Sequence, residues 1–537
     1  MKTIWSGFFW TVVSLAVLGG LIGCAKSGAD MAADKGNVLH LANGTEPSDL
    51  DPQTVTGRPE SNILRTLIEG LVIPDAKTLE PKPGQAESWE ISDDGLVYTF
   101  KLRAEAKWSN GDRVTAQDFI GSWQRMLTPS LASQYAYNLF MVEGAEAYQK
   151  GELHDFGATG FKALDDRTIR ITLRNPTSYL LNLMMHYSWH PVHLPTVDKF
   201  GGLTRGGTRW TRAENFVGNG PFVLTEWKPN QHVQVMKSPT YWGEVRLDGV
   251  RFYPIENTDT SERMFRTGQV DGTSALPLSK VDTYRNERRD VLRIDPYLAT
   301  AFFKVNVNRP QLADPRVRRA ISLSLDRVGL AEEVLRGVKT AHYNFSPVMP
   351  SFQPKARFSD NAEEAKALLA EAGYPGGEGL PPIEIIYPTS DSGRIVCEAL
   401  QAMIRSALGI DVRLYNQEWK VYLDTLNNQN YDISWSAWIG DYVDPMTFMD
   451  MMVTDGGNNR TGWSSPRYDE LIKLAQAEGD PIKRNGYFEE METILGKEVP
   501  VIPLYSYTNA YLLSPAVKGW YPTLLDIHPF QEVWLER

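Results

Sequence analysis

The sequence W-S-A-W-I-G-D-Y-V-D-P runs from Trp435 to Pro445 and follows a short apolar run, residues 431–434, that predicts a β-strand. A strand end that presents Asp441 beside Trp438 and Tyr442 can bind a cation against aromatic walls. The simpler alternative is a strand end with an ordinary turn aspartate, and the stretch alone leaves both open. The rest of the chain decides between them.

Length, charge and cysteine content limit the possible classes of protein. A chain of 537 residues exceeds what one hydrophobic core organises, so we expect two or three domains. The net charge of −11 argues against nucleic acid or an anionic membrane surface as the main partner. The two cysteines are Cys24, near the N-terminus, and Cys397, so no intramolecular disulfide is expected.

The N-terminus has the pattern of a leader segment. Lys2 precedes an apolar run over residues 4–23 that ends in L-I-G-C at Cys24. This ending resembles the lipobox of bacterial lipoproteins, and the resemblance implies a signal peptide over 1–23, lipid attachment at Cys24 and a tether over 24–35. An uncleaved membrane anchor is the alternative, because the run is long enough to cross a bilayer.

Local patterns in the first half predict a strand, a helix, a hairpin and a capped helix. The strand is placed at 37–42 and the helix at 63–71. Period-two alternation over 97–103, after a D-D-G turn, predicts the second arm of a β-hairpin. Thr115 and Asp118 form a capping-box pattern that opens a helix through Met126.

Helices alternate with apolar strands in the second half, which favours α/β crossover units. Three pairs place a capping residue before a proline at the first helical position: Asp314-Pro315, Ser465-Pro466 and Asp480-Pro481. A further helix is predicted over 362–372, ended by Gly373, and strands are predicted at 383–387, 412–415 and 501–507.

Catalytic and cofactor motifs are not found. The sequence has no G-x-S-x-G, H-E-x-x-H, Walker or C-x-x-C pattern, so no enzyme activity and no cofactor are expected. His186, His190 and His193 form an H-x-x-x-H-x-x-H cluster, but Pro191 ends any helix there. We therefore expect surface or interlobe histidines and no metal site. Cys397 lies in an apolar pattern and is expected to be a buried thiol.

Several dispersed motifs occur in a fixed order along residues 37–537. They are L-D-P-Q at Leu50, G-R-P-E-S-N at Gly57, A-E-S-W-E at Ala86, Y-T-F-K-L-R at Tyr98, W-S-N-G at Trp108, N-G-P-F at Asn219, S-P-T-Y-W at Ser238, D-P-R-V-R-R-A at Asp314 and N-Q-E-W-K at Asn416, together with the opening stretch. This ordered set resembles the peptide-binding proteins of bacterial ABC transporters, the extracellular solute-binding proteins of family 5.

The resemblance implies an α/β fold of the two-lobed periplasmic-binding-protein type, class II, with an extra subdomain in the first lobe. Transferred to this sequence, the family's domain boundaries place lobe one at 36–298 plus 510–537, with 69–195 as the inserted subdomain. Lobe two is 299–509. The hinge would lie near Leu298 and Asn509. The residue patterns alone predict only a multi-domain α/β protein.

The resemblance also implies a ligand site. Asp441 would pair with the α-ammonium of a peptide, while Ala437 and Ile439, on either side of Trp438, would offer main-chain partners. Further ligand-facing residues would be Trp419, Tyr135, Arg58 and Trp435. Packing between lobes is the alternative for Trp419 and Tyr135, and a plain surface charge is the alternative for Arg58.

This sequence departs from the family where the family places cations for peptide carboxylates. The matching positions are Trp435, Leu426, Gly393 and Leu335, none of which ionises. The ligand is therefore longer than a tripeptide, or has a modified or blocked terminus, or is not a peptide. Ala299 and Ile439 likewise stand where the family has a cysteine pair, so no disulfide forms there.

We expect the substrate-binding component of an ABC importer for peptides. It would be a lipid-anchored monomer outside the cytoplasmic membrane, in the periplasm or at the cell surface. It would enclose an extended oligopeptide and deliver it to a membrane permease, without nucleic acid or cofactor. One alternative is the same scaffold with a non-peptide solute, such as a sugar, a metal chelate or a modified peptide. The other is a surface-anchored enzyme.

Overall fold

The computed structural model describes residues 36–355 and 357–537. The predicted leader and tether fall on residues 1–35 and lie outside them. The described strands are β1 Val38–Ala42, β2 Val72–Pro74, β3 Pro81–Pro83, β4 Ala86–Ile91, β5 Val97–Leu102, β6 Phe161–Asp165, β7 Thr168–Thr172, β8 Phe222–Lys228, β9 His232–Lys237, β10 Gly249–Tyr253, β11 Leu292–Val305, β12 Thr340–Ala341, β13 Ile383–Pro388, β14 Val412–Gln417, β15 Ile433–Ile439, β16 Val501–Leu512, β17 Val517–Lys518 and β18 Trp534–Leu535.

Most of the described α-helices are short, and the longer ones lie mainly in the second half. They are α1 Arg58–Leu67, α2 Ala116–Leu127, α3 Ala145–Gln149, α4 Leu180–Met184, α5 Leu194–Lys199, α6 Thr258–Arg266, α7 Val281–Glu287, α8 Pro315–Leu323, α9 Arg327–Gly329, α10 Ala362–Glu371, α11 Asp391–Leu408, α12 Trp419–Asn427, α13 Met446–Met449, α14 Pro466–Ala477 and α15 Pro481–Glu498. Within the described residues, no helix has the length and apolar character needed to cross a membrane.

The predicted helix starts are confirmed by their caps. The Asp118 carboxylate accepts from the backbone N of Thr115 at 2.7 Å, as the capping-box pattern requires. At the starts of α8 and α15, the side chains of Asp314 and Asp480 accept from backbone N–H groups two residues on, at 2.8 Å and 2.9 Å. Ser465 caps α14 in the same way.

Two predicted elements are shifted. The helix predicted at 63–71 is α1, which begins at Arg58, with Pro59 in its first turn, and ends where Ile68 takes an extended backbone. The strand predicted at 431–434 is β15, which continues to Ile439. The prediction ended the strand too early, because the aromatic residues after Ser434 belong to the strand itself.

Two four-stranded sheets lie in the first half and one six-stranded sheet in the second. Their strand orders are β1-β10-β9-β8, β4-β5-β7-β6 and β12-β16-β11-β15-β13-β14. The predicted hairpin is the antiparallel β4–β5 pair. In the large sheet β13 runs parallel to both β14 and β15, with α11 and α12 as the connections, so the predicted crossover units are confirmed.

The long strands β11 and β16 pair antiparallel and cross both predicted hinge positions. Leu298 lies in β11, within the break in register between Pro296 and Thr300, and Asn509 lies in β16 opposite Asp295. The lobe boundaries stay a prediction. Ala299 and Ile439, where the family has a cysteine pair, are direct cross-strand partners between β11 and β15.

Strand β11 separates two hydrophobic cores. Ala301, Phe303 and Val305 belong to the core of the second half. Phe302, on the opposite face, packs in a T-shaped contact on Phe345 with ring centroids 5.1 Å apart, in the core that also contains the β4–β7 sheet. Alternate side chains of one strand therefore join the two halves of the molecule.

Candidate functional site

A cavity of about 660 Å³ lies between residues of the first and second halves of the chain. Among the residues that line it are seven of the eight predicted ligand-facing residues: Arg58, Tyr135, Trp435, Ala437, Trp438, Ile439 and Asp441. The structure thus brings together positions that are far apart in the sequence. Trp419 is the first residue of α12, and its ligand contact stays a prediction.

Strand β15 contributes an open edge to this cavity. In the sheet β15 lies between β11 and β13, but β13 pairs only with Ile433 and Ser434. Beyond Ser434 the edge that faces away from β11 has no partner strand in the described part of the chain. Ile439 is 49% exposed although it belongs to a sheet strand. An extended chain can add to such an edge.

The hydrogen-bond pattern shows which residues present this edge. Gly440 N donates to Leu298 O at 2.7 Å. Antiparallel pairs alternate between bonded and non-bonded, so Trp438 and Ser436 bond to β11 while Ala437 and Ile439 direct their N–H and C=O groups outwards. At the other end the Tyr422 hydroxyl donates to Trp435 O at 2.9 Å. The open edge therefore runs from Ser436 to Ile439.

Asp441 lies just past the open edge as a carboxylate without a cationic partner among residues 36–355 and 357–537. The Tyr137 hydroxyl donates to its Oδ2 at 3.3 Å, and its backbone N donates to Thr447 Oγ1 at 3.1 Å. Burial raises the pKa of Asp441 to about 6. Nearby Asp450 has its pKa raised to about 8 by burial and by the charges of Asp441 and Asp444.

Aromatic side chains form the walls around Asp441. Trp438 Nε1 donates to Thr447 O at 2.6 Å, which fixes the indole against α13. Tyr135 stacks edge-on against His186 with ring centroids 4.6 Å apart. Electron-rich rings beside an unpaired carboxylate are typical of a site for an ammonium group.

Arg58 lines the cavity but is not a free cation. Its guanidinium pairs with Asp526 and lies 5.7 Å from the centre of the Tyr297 ring. Burial would raise the pKa of Asp526, but Arg58 and His528 lower it to about 2. The charge of Arg58 is therefore neutralised by Asp526, its side chain is 42% exposed, and its contact with a ligand stays a prediction.

Two cations of the second half, which the sequence analysis missed, line the same cavity. They are Lys304 on β11 and Arg460 after the loop at Asn458. Lys304 is only 6% exposed, and burial together with Arg460 lowers its pKa to about 7. The sequence feature that could have identified Lys304 is the presence of a lysine within the apolar run A-T-A-F-F-K-V. Of the four positions compared with the family cations, Trp435 and Leu426 do line the cavity.

The three histidines are buried, so of the two expected positions, surface or interlobe, the surface one is wrong. His186, His190 and His193 are each less than 9% exposed. His186 lines the cavity, and burial lowers the pKa of His190 to about 3. No group of three or more His, Cys, Asp or Glu side chains is placed to bind a metal within the described ranges. Cys397 is fully buried, as predicted.

Residues 80–460 match the model of the bacterial extracellular solute-binding proteins, family 5, middle region. Among curated proteins, the chain is 34% identical over 528 residues to the periplasmic oligopeptide-binding protein OppA of Escherichia coli (strain K12), covering 94% of this chain and 95% of that protein.

Solved structures show the same architecture. One is the periplasmic oligopeptide-binding protein OppAIV of Borrelia burgdorferi, with 33% identity, a TM-score of 0.83, and coverage of 93% of this chain and 99% of that one. Another is Haemophilus influenzae OppA in complex with RPPGFSPFR, with 32% identity, a TM-score of 0.81 and the same coverage. These similarities confirm the predicted two-lobed α/β fold.

Asp441 and Asp444 should respond in opposite ways to replacement by asparagine. The folded pKa of Asp441 lies above its ordinary value of 3.8, so its ionisation lowers stability as the pH rises through 4 to 6. Asp441→Asn should raise the free energy of unfolding by about 1–3 kcal/mol at pH 7.5 and by little at pH 4.

The matched control is Asp444, which pairs with Arg484 at 2.6 Å and 2.8 Å, both side chains being 8% exposed. Asp444→Asn leaves a buried guanidinium without its carboxylate and should lower stability by about 3–5 kcal/mol. Urea denaturation of the ligand-free proteins measures both. Equal destabilisation by the two variants would contradict the assignment of Asp441 as an unpaired charge.

Proposed function

The chain belongs to the bacterial extracellular solute-binding proteins of family 5, and from that membership we propose that it is the substrate-binding component of an ABC importer for peptides. It encloses an extended oligopeptide between two lobes and delivers it to a membrane permease. The main supporting observation is Asp441, a largely buried carboxylate that faces the cavity without a cation from the described residues.

The ammonium group of a peptide supplies the missing charge. A buried carboxylate is costly when unpaired, and an ammonium brought by the ligand restores both the charge and the hydrogen bonds. Tyr135 and Trp438 border the same end of the cavity. The amino terminus of the ligand therefore lies at the C-terminal end of β15.

The open edge of β15 binds the peptide main chain. Ala437 and Ile439 offer N–H and C=O groups at this edge, and pairing through them is independent of the ligand's side chains. With its amino terminus at Asp441, the ligand runs antiparallel to β15. The complex of the H. influenzae relative with RPPGFSPFR and the oligopeptide-binding relative in E. coli support a peptide as the ligand class.

Ligand binding favours the closed arrangement of the two halves because contacts to both exist only there. Tyr137 of the first half already donates to Asp441 of the second, and Tyr179 stacks on Tyr442 with ring centroids 5.0 Å apart. The hinge at Leu298 and Asn509 and the ligand contact of Trp419 belong to this proposal. No bond is broken, so no catalytic residue is required.

The protein acts outside the cytoplasmic membrane, attached by lipid at Cys24, as a monomer that meets its permease there. The pattern at Cys24 and the periplasmic relatives support this location. A short tether leaves the two lobes free to reach a permease in the same membrane.

The ligand class is tested by purifying the body from Lys26 onward under native conditions and identifying bound small molecules by mass spectrometry. We expect a mixture of peptides of four or more residues, because main-chain pairing selects no particular side chains. A single non-peptide species would retain the fold and refute the peptide assignment.

The role of Asp441 is tested with pentaalanine as the probe. Asp441→Ala should weaken binding by about 2–5 kcal/mol, because it leaves a buried ammonium unpaired. Isothermal titration calorimetry measures the affinity. Asp450→Asn, which changes a neighbouring carboxylate outside this cavity, and N-acetylated pentaalanine serve as controls.

The Asp441 variant and the wild type should bind the acetylated peptide with similar affinity, since no ammonium is present. An affinity for free pentaalanine that stays within about threefold of wild type would refute the assignment of Asp441.

The lipid anchor is tested by expressing the full chain with Cys24→Ser in a bacterium. The variant should move from the membrane fraction to the soluble fraction, because the acylated residue is lost. Cys397→Ser is the matched control and should stay with the membrane. Retention of the Cys24 variant in the membrane would instead indicate an uncleaved anchor.

A further inference from the structure

Lys304 is an unusual residue for the interior of a strand. It is 6% exposed, lines the cavity, and its Nζ donates to Asn458 O at 3.0 Å. No carboxylate within the described residues pairs with it. The residues opposite it on β15 and β16 are Ser434 and Val501, which do not ionise. A buried ammonium with only a carbonyl partner is costly unless a negative group is supplied.

Arg460 lies beside Lys304 and also lacks an acidic partner in the described part of the chain. Its Nε is buried without a hydrogen-bond acceptor, and its own carbonyl accepts from the Tyr431 hydroxyl at 2.6 Å. The two cations repel each other, which contributes to the lowered pKa of Lys304. Two adjacent cations with unused donors, both facing one cavity, form a site for an anion.

The other cations of the cavity have partners within the protein. Arg58 pairs with Asp526. Arg65 on α1 donates to Ser61 Oγ at 3.3 Å and to Met185 O at 3.2 Å. Both lie in the first half, whereas Lys304 and Arg460 lie in the second, on the side of β11 and β15.

Strand register gives the length of β15 between Ile439, which lies near Asp441, and Ser434, which lies opposite Lys304. Ile439, two residues before Asp441, lies opposite Ala299, and Ser434 lies opposite Lys304. These pairs are five residue steps apart, which is about 17 Å in a strand. A peptide segment that pairs along β15 between Ile439, next to Asp441, and the partner of Lys304 therefore has about five residues.

We propose that Lys304 and Arg460 form a carboxylate-binding site that recognises the free carboxyl terminus of a ligand of about five residues. This inference rests on the proposed function and adds a second terminal contact to it. The cations missing at Trp435, Leu426, Gly393 and Leu335 are thus replaced by a pair contributed by β11 and the loop after Asn458.

Ligand binding at this site should change the protonation of Lys304. With a pKa of about 7, Lys304 is partly neutral at pH 7.5. A bound carboxylate stabilises its ammonium form and raises the pKa of Lys304, so binding takes up protons at this pH. The charged group that acts on Lys304 in the free protein is Arg460. Affinity for a free carboxylate should therefore decrease as the pH rises above about 7.

The experiment compares pentaalanine as the free acid and as the C-terminal amide by isothermal titration calorimetry at pH 7. Wild type should bind the acid at least about tenfold more tightly, because the amide leaves both cations unpaired. In Lys304→Met this ratio should fall to within threefold. Lys339→Met is the matched control, because Lys339 is also largely buried and donates to a backbone carbonyl. This variant should keep the wild-type ratio of affinities for acid and amide.

Arg460→Gln is a second variant that leaves the buried strand unchanged, and it should also reduce the ratio. Proton uptake at pH 7.5, measured in two buffers of different ionisation enthalpy, should be larger for the acid than for the amide, because both ligands bring the same α-ammonium group and only the acid raises the pKa of Lys304. Equal binding of acid and amide by wild type would overturn the carboxylate site alone. The carboxylate site would also be overturned if Arg65→Gln abolished the difference in affinity between acid and amide while the Lys304 and Arg460 variants kept it. Failure of wild type to bind either peptide would overturn the proposed function as well.

Discussion

The antiparallel pairing of β11 with β15 places the open edge and the two charged ends of the cavity. Its register sets Asp441 just beyond one end and Lys304 at the other. The same ladder uses the hydrogen-bonding groups of Trp438 and Ser436, so those of Ala437 and Ile439 remain for a ligand. Because β13 pairs only as far as Ser434, this central strand of a six-stranded sheet has an open edge. A slip of one residue in that pairing would turn the outward groups inwards.

Charge pairing distinguishes residues that stabilise the protein from residues left for a ligand. Asp444 with Arg484 and Asp51 with Arg125 are buried pairs with short contacts, and each carboxylate is compensated within the fold. Asp441 has no such partner, and Lys304 has only a carbonyl. In the proposed function the bound ligand removes these costs, so free energy that the empty protein lacks becomes binding affinity.

Local features of the fold were predictable, and long-range ones were less so. The caps at Asp314, Ser465 and Asp480 depend on neighbours two or three residues away, and all three were correct. The end of β15 was misplaced, because its pairing with β11 extends the strand past Ser434. For the histidines at 186, 190 and 193 the sequence left surface and interlobe positions open, since their burial depends on packing against distant segments.

The sequence by itself determined the family and the helix starts, and it predicted Asp441 as the residue for a cation, because each depends on short contiguous motifs. The tertiary structure alone decided which charges are neutralised. Arg58 meets Asp526 across 468 residues of chain, and Lys304 meets the carbonyl of Asn458 across 154. Such contacts have no local signal in a sequence. They form because the two halves of the chain pack against the same paired strands. Burial at that interface then shifts the pKa values of the charged groups inside it.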